Sequence, residues 1–182
     1  FPTRRSSDLA FSEAKNPLII AGGGNWNTQA CEALRAWANR ERIPVATSFR
    51  SQDVIDNLDP CFAGDLGIGA NPILVQRVKN ADYLLVIGER LGEMTTAGYS
   101  ILSAPQAHAK IIHVHSGPEE LGRVYRPEYA LNCSPENFCN ALSDIRMGQQ
   151  YDTRAMADAH AQYLAFSNPV TVPGDLQLAY IM

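Results

Sequence analysis

Five short apolar runs alternate with segments of helical spacing, and this alternation constrains the fold more than any other feature of the chain. The runs are Asn16 to Ala21 (NPLIIA), Ile43 to Thr47 (IPVAT), Asp82 to Gly88 (DYLLVIG), Lys110 to His115 (KIIHVH) and Tyr129 to Cys133. They lack the strict polar alternation of half-exposed strands, as expected of strands covered by helices on both faces. Between the first two, Thr28 to Arg40 carries Ala30, Leu34, Ala36 and Trp37 at helical spacing. Asn71-Pro72 and Ser134-Pro135 each set an N-cap residue before a first-turn proline, which opens two more helices. A last helix is expected over Tyr151 to Phe166. The order predicts an α/β fold: a doubly wound, mostly parallel, Rossmann-like sheet with helices on both faces. Ser51 to Gly69 reads as irregular, Met94 to Leu102 as a short helix, and Ser116 with Glu119 as a capping box.

A chain of 182 residues with 46% hydrophobic content can bury one sizeable core. Its net charge of −4 gives no electrostatic footprint for nucleic acid or an anionic membrane. No apolar run approaches the ~20 residues that span a bilayer, and no signal peptide is evident. The four cysteines, Cys31, Cys61, Cys133 and Cys139, form no C-x-x-C pair. They read as reduced, buried thiols of a cytoplasmic protein, with a Cys133–Cys139 disulfide left open.

The two ends differ from the middle. Phe1 to Leu9 (FPTRRSSDL) follows no structural period and resembles one reading frame of a sequencing adapter, so it stands outside the fold argument. Pro173-Gly174-Asp175 reads as a turn and N-cap leading into a helix. The expected division is an artefact at 1–9, one domain at 10–148, and a helix with a linker into a further, truncated domain at 149–182. Both ends suggest a piece of a longer protein.

Three places offer chemistry. Gly22-Gly23-Gly24 ends the first strand, where backbone can approach a phosphate and the next helix N-terminus attracts anions. The G-x-G-x-x-G fingerprint fails, because Asn27 holds the third glycine position. The loop is therefore either a phosphate cradle or a tight turn. Gly88-Glu89-Arg90 ends another strand, and Arg90 could grip a phosphate or simply pair with its neighbours. His113 and His115 share one side of a strand. They lack a third metal ligand at useful spacing, and His115 could instead meet a ribose. Asp65 lies in a glycine-rich segment, Gly64 to Gly69. No self-contained active site is visible, so no catalytic and no metal-ligating residue is assigned.

The segments NPLIIAGGG (Asn16 to Gly24), FAGDLGIGANP (Phe62 to Pro72), ADYLLVIGERLGEMTTAGY (Ala81 to Tyr99) and KIIHVHSGPEELGRVYRP (Lys110 to Pro127) carry a resemblance. In this order they resemble the central domain of thiamine diphosphate-dependent enzymes of the acetolactate synthase type. The resemblance implies a DHS-like NAD/FAD-binding fold and a larger, oligomeric parent. Flanking domains of that parent would hold thiamine diphosphate and magnesium. This segment alone would not be catalytic. Gly64-Asp65-Leu66 and Gly174-Asp175-Leu176 both lack the second glycine of the family's metal-binding G-D-G.

In acetolactate synthases proper the middle domain binds FAD. The matching positions here are Gly22, Gly23, Gly24, Gly67, Gly69, Gly88, Arg90 and His115. Leu91-Gly92 stand where those enzymes carry an acidic pair, and His115 stands where they carry an aspartate. Both departures weaken the FAD expectation and leave ADP, CoA or no ligand open. The leading expectation is a scaffolding, nucleotide-binding middle domain of a 2-oxo acid decarboxylase or acetolactate synthase-like enzyme. The alternative is a free-standing nucleotide-binding module.

Overall fold

The structure is a computed structural model and describes residues 13–147, 151–171 and 173–174. Six strands form one sheet: β1 (Pro17–Ala21), β2 (Val45–Ser48), β3 (Phe62–Leu66), β4 (Tyr83–Ile87), β5 (Lys110–His115) and β6 (Tyr129–Asn132). Their order is β3-β2-β1-β4-β5-β6, and every neighbouring pair is parallel. The helices are α1 (Thr28–Glu41), α2 (Pro72–Asn80), α3 (Pro135–Leu142) and α4 (Arg154–Ser167).

Alternate residues of each central strand enter two separate cores. Ile19, Ala21, Leu85, Ile87, Ile112 and Val114 face α1 and α3, where Leu34, Trp37, Cys139 and Leu142 meet them. Leu18, Ile20, Leu84, Val86 and Ile111 face the other way, toward Leu74 and Val78 of α2. Helices therefore cover both faces, which is why the strands read as continuous apolar runs. The expected caps are in place. Asn71 Oδ1 accepts from Ile73 N at 2.9 Å, and Ser134 Oγ from Asn137 N at 3.2 Å.

Three expectations need correction. The irregular stretch 51–69 contains β3, which sequence reading passed over. Gly64 sits there at φ 117°, and the β2–β3 register shifts between Val45 and Ala46. A glycine and an aspartate in a short edge strand with a bulge hide the strand signal. Helix α4 covers this edge: His160 Nδ1 donates to the Phe62 carbonyl at 2.9 Å, and the Tyr163 ring meets Phe62 edge-on at 4.8 Å. Second, residues 94–102 form turns rather than a helix, because Ala97, Gly98 and Tyr99 all adopt positive φ. Third, Ser116 caps nothing. The short 3₁₀ turn Pro118–Glu120 has Gly117 as its N-cap, with no side-chain capping bond.

All four cysteines are free thiols. Burial raises the pKa of each, pushing Cys139 up to about 12. The expectations placed on residues 1–9, on Gly148 and on the segment after Gly174 fall outside the described residues. No helix among the described residues is long and apolar enough to cross a membrane.

Candidate functional site

The chain leaves β1 toward β2 and leaves β4 toward β5, so the loops after β1 and β4 diverge and open a crevice at the carboxyl edge of the sheet. Gly22 N donates to the Ile87 carbonyl at 3.0 Å, and Gly88 N to that of Val114 at 2.8 Å, which carries the ladder into both loops. There the loops touch. A Cβ on Gly23 (φ 70°) would fall inside contact distance of the Gly88 carbonyl oxygen. One on Gly88 (φ 74°) would strike the Gly22 carbonyl and come within 2.9 Å of Pro135 Cγ. Trp26 Nε1 closes the junction by donating to the Gly22 carbonyl at 2.8 Å. At Gly23 and Gly88 backbone meets backbone, which leaves no room for a side chain.

The remaining expected positions are distributed around the crevice. Gly24 and Gly69 border open space, with no atom within 4 Å of where a Cβ would stand. At Gly67 a Cβ would lie 2.8 Å from Asp65 Oδ2 and 3.0 Å from the Phe49 ring, so this glycine makes room for both side chains. Asn27, the departure from the glycine fingerprint, is the N-cap of α1, its Oδ1 accepting from Ala30 N at 2.8 Å.

Arg90 is exposed and lines a cavity of about 260 Å³ together with Phe49, Glu89, Gly92, Glu93, Met94 and Thr95. The cavity thus spans from the end of β2 to the end of β4, across the crevice. The Arg50 guanidinium stacks 5.0 Å above the Phe49 ring. Glu89 is buried, and its carboxylate accepts from Thr95 Oγ1 at 3.3 Å and Gly92 N at 3.5 Å, which shapes the wall that carries Arg90.

Two buried side-chain oxygens at this edge have no hydrogen-bond partner among the described residues, Thr47 Oγ1 and Asp65 Oδ1. They belong to register partners on β2 and β3. Such orphans are rare in folded proteins, and each calls for a reason. Burial raises the Asp65 pKa above the ordinary carboxylate value, against a lowering contribution from the Gln52 side chain. Sequence reading noted Asp65 but missed Thr47 and Phe49. The usable signal was the small polar pair Thr47-Ser48 ending an otherwise apolar strand.

His113 and His115 do share one side of β5, but their environments differ. His113 is buried, and its Nε2 donates to the Glu89 carbonyl at 2.8 Å. Burial lowers its pKa below the ordinary imidazole value of 6.5, with the Glu89 backbone opposing. His115 Nδ1 lies 3.0 Å from Gly117 N and 3.1 Å from the Gly117 carbonyl oxygen, accepting from the one or donating to the other according to its tautomer. In neither tautomer does His115 offer the carboxylate that an acidic residue would. No group of three His, Cys, Asp or Glu side chains suited to a metal ion occurs among the described residues.

Burial of His113 makes its contribution to stability depend on pH. The folded state binds fewer protons at this site than the unfolded chain once pH falls to about 6.5 and below. Stability contributed here is present above that pH and lost on acidification. Urea unfolding is expected to give a lower stability at pH 5.5 than at pH 7.5. His113→Gln should flatten this slope, and an unchanged slope would show that other groups set it.

The chain matches the family model described as "Thiamine pyrophosphate enzyme, central domain" over residues 9–142. It is 28% identical over 152 residues to a sulfoacetaldehyde acetyltransferase of Alcaligenes xylosoxydans xylosoxydans, covering 81% of this chain and 25% of that protein. It is 25% identical over 174 residues to the mitochondrial acetolactate synthase of Schizosaccharomyces pombe, covering 90% and 26%. Against the acetolactate synthase large subunit of Corynebacterium glutamicum the identity is 32% over 118 residues, covering 65% and 18%. The chain therefore spans about a quarter or less of the length of these relatives.

Proposed function

The chain belongs to the thiamine pyrophosphate enzyme central-domain family, and on that premise we propose that it is the middle domain of a larger enzyme acting on 2-oxo acids, with an ADP-bearing nucleotide seated in its carboxyl-edge crevice. In this reading residues 10–148 form the domain, and 149–182 lead toward a further domain that is not part of this sequence. Thiamine diphosphate, held with magnesium by the flanking domains, supplies the electron sink for breaking the bond beside a carbonyl. The present segment supplies the scaffold and the nucleotide site. The length of the relatives favours this over a free-standing binding module.

The observation that carries the ligand proposal is the cavity between Phe49 and Arg90. One wall offers an aromatic face for a base, and another a guanidinium for a diphosphate. Gly24 and Gly69 leave room for the ligand at the rim. The orphaned oxygens of Thr47 and Asp65 lie at the same sheet edge but do not line this cavity, whose ligand-facing groups are Phe49 and Arg90. Phe49 and Arg90 fit the ADP moiety that FAD, ADP and CoA share. His115 offers no carboxylate to a ribose, so the fit concerns that moiety rather than a flavin.

Titration calorimetry of the chain with ADP, FAD and CoA tests the ligand. Saturable heat with ADP is expected. Arg90→Ala is expected to weaken ADP binding about tenfold or more, the usual scale for losing a charge-assisted contact. No heat with any of the three ligands would remove the nucleotide part of the proposal.

A further inference from the structure

A second cavity lies along α2. Ile73, Gln76, Arg77 and Asn80 recur at helical spacing and share one face of that helix. With Asn16 and Pro17 at the start of β1 and Ala155 of α4 they enclose about 240 Å³. Arg77 is the unusual member. A cation in the last turn of a helix offsets the helix dipole, but that role needs no burial. Arg77 is half-buried, and burial lowers its pKa, with Asp158 only partly opposing.

Its hydrogen bond is to a neutral group, Nη2 donating to Gln162 Oε1 at 2.9 Å. Arg35, Arg40, Arg123, Arg146 and Arg154 each have a carboxylate within ion-pair distance. Among the described residues Arg77 has none, and unlike the exposed Arg90 it is half-buried, with Asp158 acting on it from beyond ion-pair distance. A partly desolvated guanidinium that faces a cavity, and that Asp158 compensates only in part, can take up a further anion. The rest of the lining says which anion fits. Asn16 lines the same cavity. Gln76 Nε2 is held by Asn80 Oδ1 at 2.9 Å, which fixes that wall. Pro17, Ala155 and the half-exposed Ile73 give an aliphatic surface.

We propose that this cavity is a second ligand site, for a short-chain organic carboxylate that pairs with Arg77 and lays its aliphatic end on Ile73 and Ala155. The site is independent of the nucleotide crevice, and neither proposal falls with the other. A ligand here ties the start of β1 to α4, the helix that covers the β3 edge.

Sodium butyrate is the probe. Thermal unfolding of the full 182-residue chain is followed at constant ionic strength, with sodium chloride as the balance. Butyrate is expected to raise Tm saturably by about 3 °C. Arg77→Met should abolish the rise. Ile73→Glu changes an exposed position, leaves folding intact, and places a competing carboxylate at the cavity, so it should abolish the rise as well. Lys79→Met, which removes an exposed cation of the same helix turn that does not line the cavity, should keep it. No saturable rise in the unaltered chain, a rise that survives Ile73→Glu, or an equal loss in Lys79→Met would each overturn the proposal.

Discussion

Gly23→Ala is expected to cost about 4 kcal/mol or more, enough to leave much of the chain unfolded at 25 °C. Two penalties coincide at this position. The backbone φ of 70° is one that an L side chain rarely adopts. The new Cβ would also overlap the Gly88 carbonyl oxygen, a backbone atom that cannot swing aside as a flexible side chain could. That oxygen belongs to a loop whose N–H is fixed to β5 by the bond to Val114. Relief would require separating β4 from its neighbours. Gly24→Ala, one residue on, meets nothing within 4 Å and should change stability by no more than about 0.5 kcal/mol. Urea denaturation of the two variants gives the contrast. Equal stabilities would show that the loops separate more readily than their geometry implies.

Trp37→Ala should cost about 4 kcal/mol, within the range for truncating a large core aromatic. Trp37 is 1% exposed and lies in the core between α1 and α3. Its indole Nε1 donates to the Ile145 carbonyl at 3.0 Å, joining α1 to the segment after α3. The same segment is held from α1 by Arg40, whose guanidinium donates to the Ser143 carbonyl at 3.0 Å, and by Glu41, whose carboxylate accepts from Met147 N at 3.0 Å. The loss would therefore combine a cavity, an unpaired carbonyl and a loosened tie between two helices. Trp37→Phe, which keeps most of the ring volume, should recover more than half of the stability. A small effect from the alanine variant would mean that the neighbouring helices close over the gap.

The architecture was legible where a strand is long, apolar and central. The β1, β4 and β5 runs could hardly be read otherwise, and prolines at the first turns of α2 and α3 marked where those helices begin. The strand β3 was hidden because its identity comes from pairing with β2 through a bulge, a tertiary fact with little local trace. The 94–102 segment misled for a related reason. Its composition permits a helix, yet three consecutive residues there take positive φ in the folded chain.

Around the crevice, the loops after β1 and β4 were correctly singled out as lying at one edge. The sequence could not reveal that Gly23 and Gly88 press on each other rather than border open space, because 65 positions separate them. Nor could it place Phe49 opposite Arg90, or leave Thr47 and Asp65 without partners, since both depend on strand register. The cavity beside Arg77 was invisible for the same reason. Its lining comes from the start of β1, from α2 in the middle of the chain and from α4.

We propose above that an ADP-bearing ligand sits at the carboxyl edge of the sheet. Amide chemical-shift mapping of the isotopically labelled chain during an ADP titration tests it most directly, because it reports both binding and location. Saturable shifts are expected at Gly24, Phe49, Gly69, Arg90 and Gly92, with Ile73, Gln76 and Arg77 unmoved. An absence of shifts at saturating ADP, or shifts confined to α2, would contradict it.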